Sequence, residues 1–210
     1  MKLPFFASFI IFCTWLTFTL VRVRRKEEHA NDAFWEREAL ANNTRKQPLD
    51  TLPYVTIPYE NLPFSIMADD ENVAEYHRIM ETLRDKKIVN FTGQTNTDLK
   101  LAYGAPNITL LTSYDQNYTT LVRTLQKWAE LLFEAGYVNE TVTLLEFAVS
   151  THTDVSATYR LLASIYHDKQ EADKIELLKE TAAGLKSAMR PAILRNLEEY
   201  SVATDTSVTG

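Results

Sequence analysis

The residues best suited to proton transfer or metal ligation are four histidines, at 29, 77, 152 and 167, and they are widely scattered. No His-Glu-x-x-His, Gly-x-Ser-x-Gly, Gly-x-Gly-x-x-Gly or Gly-Lys-Ser/Thr stretch accompanies them. His152 and Asp154 share a turn and His167 precedes Asp168, but helix capping and the helix dipole account for both acids. Cys13 is the sole cysteine and lies in an apolar run, which excludes an intramolecular disulfide and a cysteine metal cage. The expectation is a chain that is not an enzyme, with no catalytic residue, no metal and no cofactor.

A second concentration of chemistry lies between Ile88 and Gly104. Thr92, Gln94, Thr95, Asn96, Thr97 and Asp98, with Lys100, crowd hydroxyls, amides and one ammonium into nine positions. One reading is a polar loop that takes a small ligand. The other is a turn whose side chains bind their own backbone, as Asn, Asp and Thr habitually do.

Charge narrows the partners. Setting aside Lys2, Arg22, Arg24, Arg25 and Lys26, the chain holds 17 basic against 28 acidic residues, a balance near −11. Such a surface repels polyanions, so no nucleic acid is expected as partner.

The elements that must position these groups begin with Leu3 to Val21, an uncharged stretch about 28 Å long as a helix, which matches a bilayer core of ~30 Å. No small-x-small site precedes Arg22, so the stretch reads as an uncleaved single-pass transmembrane helix within an anchor over 1–26. The more basic flank, Arg22 to Lys26, predicts that the bulk of the chain is cytoplasmic. Residues 27–47 have helix-favouring composition and carry Phe34 and Trp35 as their large apolar side chains.

Pro48, Pro53, Pro58 and Pro63 then recur every five residues and exclude a helix. Residues 48–68 are nevertheless too rich in Leu, Ile, Val and aromatic side chains to leave in water. They predict an extended strap laid along a helical domain over 69–200. Asp69 or Asp70 caps its first helix, running to about Lys87 with Val73, Tyr76, Ile79, Met80 and Leu83 on one face. Asp115 is expected to cap the next long helix, in which Leu121, Leu125, Trp128 and Leu132 form a stripe ended by Gly136. Three further helices follow, carrying Val138 to Val149, Tyr159 to Tyr166 and Ile175 to Leu185. Pro191 opens a last one, before a tail over 201–210 expected to be disordered.

Shifting this region by 34 residues superposes Leu125 on Tyr159, Trp128 on Leu162, Ala129 on Ala163 and Leu132 on Tyr166. With Gly136, Leu145 and Ala148 in the first copy, 122–155, and Ala182 in the second, 156–189, the pattern resembles the tetratricopeptide repeat. The copies depart from that pattern at Thr141, Thr153 and Gln170, the last standing where the family has glycine. The resemblance implies an all-α, short right-handed helical-repeat domain whose first helices line a groove. By position the groove residues are Arg123, Gln126, Glu130, Phe133 and Glu134, then Arg160, Ser164, His167 and Asp168. Family members that grip a carboxylate terminus use Lys and Asn where Gln126 and Glu130 stand, so that clamp is not expected. The implied role is a membrane-anchored scaffold that meets a protein or peptide partner at the membrane. Two alternatives stand beside it: an extracytoplasmic small-ligand sensor module and a structural subunit of a membrane complex.

Overall fold

The computed structural model describes the backbone of residues 3–205 and the side chains of residues 8–24 and 31–200. The chain is all-helical among the described residues: α1 (Leu3–Asn42), α2 (Glu71–Leu83), α3 (Asn96–Tyr103), α4 (Ile108–Glu134), α5 (Val138–Ser150), α6 (Ser156–Asp168), α7 (Ala172–Ala183) and α8 (Arg190–Asp205). Two compact units divide it, Met1–Pro48 with Thr95–Ile108, and Leu49–Gln94 with Thr109–Gly210.

In the first unit α1 runs unbroken for 40 residues, so the apolar stretch and residues 27–42 form one rod. Thr14 and Thr19 return their hydroxyls to the carbonyls of Ile10 and Trp15 at 2.9 Å, which lets hydroxyls sit in an apolar helix without seeking water. Phe9, Ile11, Trp15, Phe18 and Leu20 are exposed. The predicted membrane span begins among residues 3–7, whose side chains lie outside the described ones. Among the described residues no helix is long and apolar enough to cross a membrane. Phe34 and Trp35 pack edge-on against each other, 5.3 Å between centroids, and remain exposed.

The far end of α1 is held to α3 by charge. Glu38 accepts from the Lys100 ammonium and, at 2.6 Å, from the Thr97 hydroxyl, and Lys100 also donates to Asn42 at 2.8 Å. The hydrogen bond from Lys100, then that from Thr97, holds the Glu38 carboxyl below the usual carboxylate range. Arg37 pairs with Asp98 at 2.5 Å. Gly104 ends α3 at φ +91°, and a Cβ there would lie 2.2 Å from the carbonyl oxygen of Arg45, so only glycine lets these backbones meet. The buried Asn107 amide donates to the carbonyls of Gln47 and Tyr103, at 2.8 and 2.7 Å.

The second unit buries one core, centred on Leu125, Trp128, Leu132, Leu144, Leu145, Tyr159, Leu162, Ile175 and Leu178. Each comes from the apolar stripe of its helix, and small Ala129 and Ala163 permit close approach of the helix axes. Asp70 caps α2 by accepting from the amides of Asn72 and Val73. That helix stops at Leu83 rather than Lys87.

Residues 87–91 form no strand: a single antiparallel bridge joins Tyr54 to Val89, with the Val55 amide donating to Ile88 at 2.9 Å. The strap from Leu49 is extended only over about 53–58; despite its prolines it takes a single 3₁₀ turn at Tyr59–Asn61, and it buries Leu52, Ile57 and Leu62. Phe64 packs against Trp128 and His77, with centroids 5.1 and 4.9 Å away, while the Tyr59 hydroxyl donates to the Met80 carbonyl.

α4 starts at Ile108, seven residues before the expected cap. Pro106 sits in the single-turn helix Ala105–Asn107 that leads into it. Asp115 therefore lies inside the helix, where its carboxylate accepts from the Phe91 amide at 3.3 Å. At the other end of the chain, residues 201–205 continue α8, and residues 206–210 of the expected disordered tail lie outside the described residues.

Candidate functional site

A shallow hollow of about 210 Å³ opens between α4 and α6. It is lined by Gln126, Glu130, Phe133, Glu134, Arg160 and Ser164, all assigned to a groove from their positions in the sequence, and by Ala157, Leu161 and Tyr200. The i, i+4 and i, i+3 spacings bring them to one face, because residues so spaced are neighbours on a helix surface. Tyr200 comes from α8 and carries no sequence signal for this place, since its stripe also reads as an ordinary packing face.

Gln126 lines the hollow but is tied within the second unit. It is 6 % exposed, its Oε1 accepts from the buried Thr158 hydroxyl at 2.6 Å, and its Nε2 donates to Glu130 at 2.9 Å. The side chain is a strut between the first helices of the two hairpins. Arg123 also departs from the groove: it lines a separate hollow with Gly93, Asp115 and Asp154. His167 packs edge-on to Tyr200, 6.1 Å between centroids, and its Nδ1 lies 3.7 Å from Asp168.

What remains for recognition is a wall with Glu130 and Glu134 one turn apart, exposed Phe133 beside them, and Arg160 with Ser164 on the facing helix. No strap residue lines this hollow.

The turns that hold the walls repeat. Gly136 takes φ +86°, with its amide donating to Phe133 and that of Tyr137 to Leu132. Thirty-four residues later Gln170 takes φ +60°, with its amide donating to His167 and that of Glu171 to Tyr166. Both are helix ends closed by a left-handed residue. Thr141, at a position where the family has alanine, is fully buried and returns its hydroxyl to the Tyr137 carbonyl at 2.9 Å.

Several side chains of the polar loop are bonded within the protein. Thr95 caps α3, accepting from the Asp98 amide while Asp98 accepts from the Thr95 amide and hydroxyl. The hydrogen bonds from the Thr95 hydroxyl and amide, then that from Arg37, keep the Asp98 carboxyl below its ordinary value. Thr97 and Lys100 are taken up by Glu38, and Asn96 begins α3. Thr92 and Gln94 line a cleft in the second unit.

The other sequence candidates for proton or metal chemistry stay separate. His77 lies at the core edge, its ring 4.8 Å from that of Trp128 and its Nε2 buried, so burial pushes its pKa down. Cys13 is exposed on α1. Among the described residues no group of three or more His, Cys, Asp or Glu side chains is placed to hold a metal ion.

Compared with known proteins, the chain matches no family model, no curated protein and no solved structure.

Proposed function

We propose that the chain is a membrane-anchored protein–protein interaction scaffold, built on two tetratricopeptide-like hairpins, that receives a partner segment in the hollow between α4 and α6. The observation that carries this reading is the recurrence of one left-handed turn at Gly136 and Gln170, 34 residues apart, beneath a concave face clear of the strap. Repeat units of this kind present their concave side to partners. Phe133 supplies apolar contact, and Glu130, Glu134 and Arg160 set which charges the partner must carry. The role is one of binding, and no step of it calls for catalysis.

The anchor rests on the exposed apolar residues of α1 and on the basic cluster that follows them. The second unit then faces the cytoplasm. Digestion of intact cells with an external protease checks this, and loss of the second unit from outside would reverse the orientation.

The binding reading is tested with full-length chain in detergent, captured from cells as wild type and as the Phe133→Asp, Arg160→Glu double variant. The variant is expected to lose its co-purifying protein while keeping the wild-type helical content. Identical partners from both forms would overturn the groove assignment.

A further inference from the structure

A cleft of about 600 Å³ on the second unit shares no lining residue with the hairpin hollow. Its walls are the strap at Pro53 to Thr56, the loop at Asn90 to Gln94, the end of α5 from Phe147 to His152, and Gly184 to Lys186. We infer that this cleft binds a small anionic ligand through a carboxylate or phosphate group, an activity separate from the scaffold reading.

Two observations support a preorganised cleft. Asn90 ties the loop to the end of α5 and to α4: its Nδ2 donates to the carbonyls of Thr151 and His152 and to the Tyr118 hydroxyl, and its Oδ1 accepts from the Thr92 amide. Gly93 stands at φ +82° against the Lys186 backbone, where a Cβ would fall 2.1 Å from the Lys186 carbonyl oxygen. Glycine is the residue that allows so close an approach. The walls are therefore fixed before any ligand arrives, which lowers the ordering cost of binding.

The lining chemistry then sets the ligand class. The polar groups that build the walls, Asn90, Ser150 and Thr151, are engaged within the protein. Those on the rim are not: among the described residues, the side chains of Thr56, Thr92, Gln94, His152 and Lys186 have no hydrogen-bond or ion-pair partner. They offer hydroxyl, amide, imidazole and ammonium donors. No aspartate or glutamate lines the cleft, in a chain with 28 of them, and Asp154 nearby is tied to the Ser187 hydroxyl. An acid-free concavity whose rim carries one free ammonium, at Lys186, beside hydroxyl, amide and imidazole groups that can donate favours an acceptor-rich anion.

The five glycines of the chain make the test direct. Full-length protein labelled with 15N-glycine, in phosphatidylcholine nanodiscs at constant ionic strength, is titrated with citrate, inorganic phosphate and glucose. The Gly93 and Gly184 signals are expected to move saturably with citrate or phosphate, whichever group the ligand bears, and to ignore glucose. Gly104 and Gly136 report on unaffected regions and should stay in place. Lys186→Gln keeps the backbone contact with Gly93 and should raise the apparent Kd about fivefold, as expected for one exposed charge pair; Gln94→Ala should raise it less. Absence of saturable movement with both anions, equal movement with glucose, or an unchanged titration in Lys186→Gln would overturn the assignment. Partner capture at the hairpin hollow is scored separately, because neither substitution touches that face.

Discussion

The two hairpins of the second unit solve the same geometric problem with different residues. At Gly136 the left-handed turn needs no side chain to be absent, since a Cβ there meets nothing within 4 Å, so glycine serves conformational freedom alone. At Gln170 a residue with a Cβ holds the same kind of turn and the same hydrogen-bond pattern. The contrast teaches that hairpin packing imposes the turn and glycine only eases it. The cores differ in the same sense: the first hairpin inserts Trp128 where the second has Leu162.

The comparison can be broken most severely at that pair. Trp128→Ala should cost about 3–5 kcal/mol, toward the upper end because the ring is fully buried and supports Phe64 of the strap. Leu162→Ala should cost less, nearer 2–3 kcal/mol on the same scale. Urea unfolding of detergent-solubilised full-length chain followed by circular dichroism gives both values, and a reversed order would refute the larger contribution assigned to Trp128. Next in size is the strut: Thr158→Val leaves the Gln126 carbonyl oxygen buried without its donor, expected to cost about 1–3 kcal/mol. A companion Gln126→Leu exchange should recover part of that loss if the two side chains act as one contact.

Smaller effects sharpen the comparison of the turns. Gly136→Ala should destabilise by about 1 kcal/mol through the left-handed penalty, whereas Gln170→Gly should be neutral or stabilising by under ~1 kcal/mol, because relief of that penalty is set against a more flexible unfolded chain. Equal losses at both sites in the same unfolding assay would show that the turns are not equivalent.

The smallest expected effect concerns pH. His77 has its pKa lowered by burial, so the unfolded chain takes up this proton first as the solution is acidified. Its contribution is complete above about pH 6.5, the unperturbed value, and is lost as pH falls through the lowered folded one. His77→Phe should flatten the acid side of a melting-temperature profile, and an unchanged profile would place the acid sensitivity elsewhere.

The stripes of α4 to α7 were legible because each buries a face wide enough to leave a 3.6-residue rhythm in the chain. The extended part of the strap was legible too, since prolines exclude α-helix and apolar side chains exclude water. The start of α4 was not: Asp115 has the chemistry of a cap, but its carboxylate serves the Phe91 amide, a contact between segments 24 residues apart. Gln126 was legible as a lining residue of the hollow but not as a strut. Its spacing puts it on the groove face, and only the position of Thr158 on α6 turns it into a strut. The cleft at Thr92 and Gln94 was half visible as a polar loop, while its other walls come from the strap before it and from segments up to 94 residues beyond Thr92.

The amide nitrogens of Asn90 and Asn107 carry a practical consequence for producing this protein. Each begins an Asn-x-Thr triplet, and each donates into the folded interior, Asn90 to three acceptors and Asn107 to two. A sugar attached to either nitrogen during secretion would remove those donors and place a bulky polar chain where none fits. A eukaryotic secretory host should therefore yield misfolded glycoprotein. Replacing Thr92 and Thr109 by valine abolishes these two of the chain's five Asn-x-Thr triplets and should raise the folded fraction there, while Asn42, Asn117 and Asn139 still begin the other three.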